Sequence, residues 1–438
     1  MLGPKQAIIQ YLPLDESLII MTITKESVEM TGVAVSYKDL AVLIRDHMLA
    51  GNIEAMTRID LSKPGDREKE HKLYAEGIHI FEEVNRYLYQ PIEDKLKEKD
   101  MLYLITSKFL SYVPFPALIT GRKSDGSPEY LIESKTLSLN RLSFLAGLKL
   151  SEADKPMTSV DIIAVGNPIH NVLNQKELDG AEGEARNAIE AMLKIDPSAK
   201  TTLLVKDSAT ETAWYEAVKS HAYSVMYFAT HGVPLAETLS SMNTLESREK
   251  SGKLGNRLRA TLAFLHENFQ SKSHIYAYLY MAYPDQDHNG VLTLKKIFEL
   301  PESIFSKANL AVMSACNSAV TYSPKVLHDK ATQEILESEE AAAALVAAGW
   351  TPGMDQVCLV DTFMKRNFRN VYGNFWAADD TASAHIMKLF TANLQKMAPP
   401  AALREAQMQY LKNPPAEVDY TQYPKHPTYW ACGNIFGQ

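Results

Sequence analysis

The chain has 438 residues, of which 46% are hydrophobic and 22% are charged, so it is long enough for about two or three globular domains. Its net charge of −8 argues against nucleic acid as a direct partner, because phosphate binding requires a basic surface. No apolar run approaches the length of a membrane span, and the first residues lack the charged and apolar regions of a signal peptide. The three cysteines are too few for a disulfide scaffold and have no metal-binding spacing. We therefore expect a protein of a reducing, cytoplasmic setting.

The first part of the chain combines extended segments with a helix. The extended segments are "QAIIQYLPL", "SLIIMTITK" and "VEMTGVAVS", and a short apolar strand, "DMLYLITS", comes later. Between them, a helix is predicted because apolar residues recur at three- and four-residue spacing, at Phe81, Val84, Leu88 and Ile92. A polar stretch at residues 149–159 marks a boundary. We therefore expect an α+β region over residues 1–155 and a second domain over residues 156–438.

Strands and helices alternate in the second domain. The predicted strands are nearly continuous apolar runs: "VDIIAVGNP", "TTLLV", "YSVMYFATHG", "IYAYLYMAY", "NLAVMSACNS" and "NVYGNFW". Predicted helices separate them, and further helices are expected at residues 354–368 and 380–412. This pattern is typical of a mainly parallel sheet with helices on both faces. In such sheets the catalytic and ligand-binding residues lie just beyond the carboxyl ends of the strands.

The stretch that begins at Asp285 resembles the start of a calcium-binding loop. Asp285, Asp287 and Asn289 occupy alternate positions and Gly290 follows them, as in an EF-hand. The twelfth position, however, is Lys296, where an EF-hand has a glutamate that supplies two oxygens. The residues before the loop also alternate like a strand, whereas an EF-hand begins with a helix. We therefore interpret the stretch as a turn between two elements, with calcium binding as the alternative.

Two of the predicted strands end in residues that can do chemistry. One ends in His231 and Gly232, and the other leads to Cys316 among small residues. If the strands are parallel neighbours, His231 can act as the base for a Cys316 nucleophile, and the backbone N–H groups of Gly232 and Cys316 can form an oxyanion hole. The alternative is a buried cysteine and a core histidine. From the spacing alone this alternative is favoured, because cysteine is commonly buried.

The motifs taken together resemble those of a known family. "YFATHG" followed by "NLAVMSACNSA" is similar to the corresponding segments of the CHAT peptidases, which are caspase-like proteins of the same clan as separase, caspases and clostripain. Further similar segments follow the family's order: "DIIAVGNP", "LDGAEGEARNAI", "GVLTLKKIFEL", "NVYGNFWAADDTASAHIMKLF", "ALREAQMQYL" and "HPTYWACGNIFG". The first half resembles the region that accompanies such domains, so the resemblance covers nearly the whole chain. It also favours the turn at "NGVLTLKKIFEL" over a calcium loop.

The resemblance implies roles for individual residues. His231 would be the general base and Cys316 the nucleophile. In separase-like relatives an aspartate four residues after a tryptophan lines the pocket for an arginine side chain, and Asp380 holds that position after Trp376. Alternatively, Asp380 is only a carboxylate at the start of a helix, favoured there by the helix dipole. Asp379 is then the expected helix cap.

This chain departs from the family pattern in three ways. An insertion at residues 234–272 lengthens the spacing between His231 and Cys316. A second insertion, at residues 320–352, directly follows the expected nucleophile. The tetratricopeptide helices that often precede a CHAT domain are absent from this sequence. We expect the insertions to gate the substrate groove or to bind a regulatory protein partner.

The resemblance implies an α/β fold with a caspase-like, mainly parallel sheet sandwiched by helices, preceded by a smaller α+β, pseudo-caspase-like region. It implies a cysteine endopeptidase that cleaves a protein substrate through a Cys-His dyad without a cofactor. It further implies control by a partner in a bacterial defence or signalling pathway. From the charge and the lack of a long apolar run, we expect no direct contact to nucleic acid or membrane. The alternative is a catalytically silent scaffold or binding module with a CHAT fold.

Overall fold

A computed structural model describes residues 2–141, 155–171, 177–252, 255–268, 277–285, 288–320, 358–418 and 421–437. The contacts between residues divide the chain into two compact units. The first combines Met1–Met157 with Ala377–Gln438, and the second is Thr158–Trp376. The division into domains at residues 1–155 and 156–438 stays a prediction.

The strands of the described residues are short and numerous. In chain order they are β1 Gln6–Pro13, β2 Leu18–Ile23, β3 Val28–Val33, β4 Met101–Thr106, β5 Ile119–Arg122, β6 Pro128–Tyr130, β7 Thr136–Arg141, β8 Ile162–Gly166, β9 Thr201–Val205, β10 Val225–Ala229, β11 Gly232–Val233, β12 Tyr278–Tyr280, β13 Val291–Thr293, β14 Leu310–Ser314, β15 Asn370–Asn374 and β16 Gly433–Gly437.

The α-helices lie between these strands. In chain order they are α1 Tyr37–Ala41, α2 Ala55–Thr57, α3 Asp66–Leu88, α4 Leu131–Ser134, α5 Asp179–Ile195, α6 Glu211–Ser220, α7 Leu235–Lys250, α8 Asn256–Asn268, α9 Leu294–Phe298, α10 Leu359–Lys365, α11 Asp380–Asn393, α12 Pro399–Lys412 and α13 Pro427–Trp430. A π-helix, Val42–Glu54, joins α1 to α2, and a 3-10 helix, Gln90–Leu96, follows α3. None of the helices in the described part of the chain is long and apolar enough to cross a membrane.

The second unit is built on a parallel sheet with the strand order β9-β8-β10-β14-β15. Successive residues of a strand point to opposite faces, and β10 shows what covers each face. The Tyr227 hydroxyl donates to Glu184 of α5 at 2.7 Å, whereas the Phe228 ring lies 5.8 Å from that of Phe363 in α10. Helices therefore cover both faces of a parallel sheet. The predicted α/β fold class is confirmed.

One predicted strand of the parallel sheet belongs elsewhere. Instead of joining that sheet, β12 lies between β11 and β13 in a separate antiparallel sheet. Gly290, with a φ of +71°, lies in the turn that returns the chain from β12 to β13, where a left-handed conformation favours glycine. The apolar run that contains β12 predicts a strand correctly, but it does not identify the partner strands.

The insertion at residues 234–272 is a helical hairpin as far as the structure describes it. Helices α7 and α8 bury apolar side chains against β12 and β13, in a cluster formed by Met242, Leu245, Leu262, Phe264, Leu265, Tyr278, Tyr280 and Val291. The hairpin therefore packs on the small antiparallel sheet. The second predicted insertion lies outside the described residues, apart from its first residue, Val320.

The first unit contains a mixed sheet with the order β3-β2-β1-β4-β7-β16. The pairs β1–β2 and β2–β3 are antiparallel, as expected for extended segments joined by short turns, and the pairs β1–β4, β4–β7 and β7–β16 are parallel. The predicted helix is α3, and its buried residues include Phe81, Val84 and Leu88. Ile92 lies in the following 3-10 helix, because Pro91 lacks an N–H and disfavours the helical conformation of the residue before it.

Residues 380–412, which were predicted to be helical, form two separate helices. Helix α11 ends at Asn393 and α12 begins at Pro399. Pro399 and Pro400 occupy the first turn of α12. A backbone N–H group in that turn would have no acceptor inside the helix, so proline is tolerated there. The proline pair therefore starts a new helix within the segment that was predicted to be helical.

His426 of the first unit makes folding stability depend on pH. Its imidazole is buried and accepts a hydrogen bond from the Thr428 N–H at 3.2 Å, which caps α13. Burial lowers the pKa of His426 from 6.5 to about 3, because the charged imidazolium would lose its hydration. Between about pH 6.5 and pH 3 the His426 imidazole is therefore protonated in the unfolded chain but neutral in the folded chain. The contribution of the neutral His426 to the free energy of unfolding is therefore complete above about pH 6.5 and is lost as the pH falls towards 3.

We expect His426→Asn to flatten this dependence. Asparagine also accepts hydrogen bonds at a helix start, so the cap is retained while the titrating group is removed. Between pH 6 and pH 4 the wild type should lose about 1.4 kcal/mol more per pH unit than the variant, measured by urea unfolding. His79→Asn, which replaces an exposed histidine with 81% side-chain exposure, is the control and should follow the wild type. Equal slopes for His426→Asn and the wild type would contradict the assignment.

Candidate functional site

The two strand-end motifs lie side by side. Strands β10 and β14 are parallel neighbours, and their last paired residues are Ala229 and Ser314. His231 and Cys316 each follow two residues later, at the same edge of the sheet. Both residues are partly exposed. The expectation that the two strands are parallel neighbours is confirmed. Neighbouring strands of a sheet are about 4.8 Å apart, so the two motifs follow strands that lie side by side.

The backbone after His231 comes very close to the backbone of Cys316. A Cβ atom added to Gly232 would lie 2.7 Å from the Cys316 carbonyl oxygen and 3.0 Å from the Ala315 Cβ. Separations below 3.0 Å are not tolerated between such atoms. Only glycine therefore allows the two motifs to approach each other this closely.

The N–H group of Gly232 is directed away from the antiparallel sheet. The Tyr280 N–H donates to the His231 carbonyl oxygen at 3.0 Å, so His231 and Tyr280 are a hydrogen-bonded pair of the ladder. Hydrogen-bonded and non-hydrogen-bonded pairs alternate along an antiparallel ladder. Gly232, which pairs with Leu279, is therefore in a non-hydrogen-bonded pair, and its N–H points away from β12. An oxyanion hole formed by the N–H groups of Gly232 and Cys316 stays a prediction.

Tyr280 holds His231 in two ways that the sequence did not indicate. Besides the backbone bond, its ring stands edge-on to the His231 imidazole, at 84° and 5.7 Å between centroids. The Thr230 hydroxyl donates to the Tyr280 carbonyl oxygen at 2.9 Å. The position of His231 therefore depends on β12.

The turn that carries Cys316 is supported from β15. The Asn374 side-chain amide donates to the Ala315 carbonyl oxygen at 3.3 Å. The Ser318 hydroxyl accepts from the Asn374 N–H at 2.9 Å and donates to the Met313 carbonyl oxygen at 3.1 Å. Asn317 has a φ of +53°, a left-handed conformation in which asparagine is enriched. The only signal for Asn374 in the sequence was its place within the predicted strand "NVYGNFW".

The three cysteines have different environments. Cys316 is half-buried, whereas Cys358 and Cys432 are buried. The Cys358 thiol donates to the Asp361 carboxylate, at 3.1 Å between Sγ and Oδ2. Cys358 and Cys432 therefore belong to the core. Among the three, Cys316 is the one whose side chain is partly exposed.

In the stretch that resembles a calcium-binding loop, the ammonium group of Lys296 contacts three oxygen atoms. The Lys296 ammonium lies 2.6 Å from Asn289 Oδ1, 2.8 Å from the Val291 carbonyl oxygen and 2.6 Å from Glu211 Oε2. Asp285 accepts from the Thr212 N–H and hydroxyl at the start of α6, at 3.0 and 2.7 Å. Burial raises the pKa of Glu211, and the ammonium of Lys296 acts in the opposite direction. Among the described residues no group of three or more His, Cys, Asp or Glu side chains is arranged to hold a metal ion.

Asp379 and Asp380 have different structural roles. Asp379 is the N-cap of α11, and its carboxylate accepts from the Ala382 N–H at 2.9 Å. The prediction that Asp379 caps the helix is therefore confirmed. Asp380 is the first residue of α11 and belongs to the first unit, whereas His231 and Cys316 belong to the second. A substrate-binding role for Asp380 stays a prediction.

Comparison with known proteins gives a family and distant structural likenesses. No curated protein matches the chain. Among solved structures, the Arg-specific cysteine proteinase gingipain R (RgpB) has a TM-score of 0.40 and 10% identity, covering 82% of this chain and 67% of that chain. A complex of Porphyromonas gingivalis RgpB pro- and mature domains has a TM-score of 0.36 and 8% identity, covering 82% and 68% respectively. The CHAT domain family model matches residues 80–438, which is most of the sequence. The chain therefore belongs to the CHAT-domain family.

Proposed function

We propose that this protein is a cysteine endopeptidase in which Cys316 is the nucleophile and His231 the general base. The observation that carries the proposal is the shared position of the two residues, each two residues beyond a pair of neighbouring parallel strands. The close approach of Gly232 to the Cys316 backbone and the partial exposure of both side chains support it. Membership of the CHAT family is consistent with this chemistry.

In the proposed reaction, His231 accepts the thiol proton of Cys316, and the thiolate attacks the carbonyl carbon of a peptide bond. The N–H groups of Gly232 and Cys316 donate to the resulting oxyanion. When the C–N bond breaks, His231 gives its proton to the leaving amine and an acyl-thioester remains. His231 then removes a proton from water, whose oxygen attacks the thioester. The carboxylic acid product leaves and the Cys316 thiol is restored.

We further propose that a protein partner regulates this activity through the helical hairpin of α7 and α8. The hairpin packs against Tyr280, whose backbone and ring both contact the residue proposed as the base. A partner that moves the hairpin would therefore act on His231 through one residue, Tyr280. The same proposal includes a role for the protein in a bacterial defence or signalling pathway. This role rests on the family resemblance alone.

Alkylation of Cys316 separates the peptidase from a catalytically silent scaffold. A thiolate activated by His231 reacts with iodoacetamide much faster than a protonated thiol. We expect mass spectrometry to find rapid labelling at Cys316 and at least about 10-fold slower labelling in His231→Ala, while the buried Cys358 and Cys432 remain unlabelled. Equal labelling of Cys316 with and without His231 would favour the scaffold.

A further inference from the structure

The ammonium group of Lys296 occupies the place that a cation would take in an EF-hand-like loop. Counted from Asp285, Asn289 and Val291 are the fifth and seventh positions, which supply a side-chain and a backbone oxygen in an EF-hand. Both oxygens accept from Lys296 Nζ, at 2.6 and 2.8 Å. The twelfth residue of the loop therefore brings a positive charge to oxygens at positions that bind the ion in an EF-hand.

This ammonium also joins the loop to helix α6. Its third partner is Glu211 Oε2, and the other carboxylate oxygen of Glu211 accepts from the Val291 N–H at 3.0 Å. The Glu211 side chain is fully buried, with 0% exposure, so its charge has lost its hydration and depends on these partners. At the other end of the loop, Asp285 binds Thr212 of the same helix. The loop is thus tied to α6 at both ends.

The position of Val291 connects this cluster to the candidate site. Val291 of β13 pairs with Tyr280 of β12, and Tyr280 in turn binds the backbone of His231. His231, Tyr280 and Val291 therefore form one row across the antiparallel sheet. Lys296 and Glu211 hold the far end of that row, through the carbonyl and the N–H of Val291.

We propose that Lys296, paired with Glu211, is a positioning residue for His231 and acts as a built-in cation that makes the site independent of calcium. The proposal rests on the proposed peptidase function only where activity is the readout. Lys296 contacts neither the proposed nucleophile nor the proposed base. Its effect is carried by the row of residues that ends at His231.

The test compares three variants with a matched control. Lys296→Met removes the charge but keeps most of the side-chain volume, Glu211→Gln removes the opposite charge, and the third variant combines both changes. Lys295→Met is the control, because this neighbouring lysine is half-exposed and makes only a surface ion pair with Glu299 at 3.7 Å. We expect kcat to fall about 10- to 100-fold in Lys296→Met with little change in KM, since a small misplacement of a catalytic group has an effect of this size. Lys295→Met should behave as the wild type.

The double variant distinguishes positioning from a general loss of stability. Removing both charges leaves no unpaired buried carboxylate, so the melting temperature should recover relative to Lys296→Met. The kcat should stay low, because Asn289 and Val291 still lack the donor that held the row. If kcat recovers together with the melting temperature, or if Lys296→Met keeps the wild-type kcat, the proposal is overturned. Wild-type kcat should be the same in calcium and in EGTA, and activation by calcium would also overturn it.

A spectroscopic readout tests the positioning without a substrate. The imidazole NMR signals of His231 are assigned by their loss in His231→Ala. We expect them to shift in Lys296→Met and in the double variant and to stay in place in Lys295→Met. Unchanged His231 signals in Lys296→Met would overturn the proposal. A shift in a protein that cleaves no peptide would support the positioning and contradict only the proposed peptidase function.

Discussion

Replacing Cys316 by alanine should abolish peptide cleavage, and replacing His231 by alanine should do the same while the protein remains folded. Each change removes one member of a single catalytic unit, so the expected loss is on the order of 10⁴- to 10⁶-fold in kcat. For the same reason Cys316→Ala/His231→Ala should be no worse than either single variant. Both residues are partly exposed and lie after the ends of their strands, so melting temperatures should change little. Fluorogenic peptides and thermal unfolding measure the two effects.

The controls for this experiment come from the same chain. His79→Ala removes a histidine with 81% side-chain exposure that lies outside the helical hairpin, and it should keep wild-type activity. Cys316→Ser retains a hydroxyl in place of the thiol and should be inactive, because serine lacks the low pKa and the nucleophilicity of cysteine. Cleavage that persists in Cys316→Ala, with contaminating protease excluded, would rule out the proposed mechanism.

The second large effect is expected at Gly232. In Gly232→Ala the new methyl group would lie 2.7 Å from the Cys316 carbonyl oxygen, so one of the two backbone segments must move. A displacement of about 1 Å between base and nucleophile lowers the rate on the order of 100-fold. Forcing a methyl group into this contact should also lower the free energy of unfolding by about 1–3 kcal/mol. Fluorogenic peptides and urea unfolding measure both changes.

Gly183→Ala is the matched control for Gly232→Ala. A Cβ at Gly183, in helix α5, would meet no atom within 4 Å, so the added methyl group should leave kcat unchanged. Alanine also has the higher helix propensity, so stability should stay equal or rise. If Gly232→Ala keeps wild-type kcat, then the close approach of the two motifs is not needed for cleavage.

Much of the second unit was predictable because its strands are almost entirely apolar. A strand that is buried on both faces, such as β10 or β14, has this composition, and amphipathic helices between such strands indicate a parallel sheet. The place of His231 and Cys316 after two of these strands was visible for the same reason. Their catalytic roles came from the family resemblance and stay predictions.

The errors at the ends of elements have local causes that were present in the sequence. Pro91 lies in the first turn of the 3-10 helix that follows α3 and holds Ile92. Pro399 and Pro400 start α12 after α11 has ended. In each case the predicted helical segment runs across a proline, which cannot donate the hydrogen bond of a helix interior.

The sequence by itself determined which segments are strands and helices, because burial on one or two faces leaves a pattern in neighbouring residues. Only the tertiary structure decided that β12 lies beside His231, since strand pairing brings together segments that are distant in the chain. The same holds for the ion pair of Glu211 and Lys296, whose partners are 85 residues apart. Each of these residues is explained locally by a turn or a helix start. Their pairing appears only when the fold places the Lys296 ammonium against the buried Glu211 carboxylate.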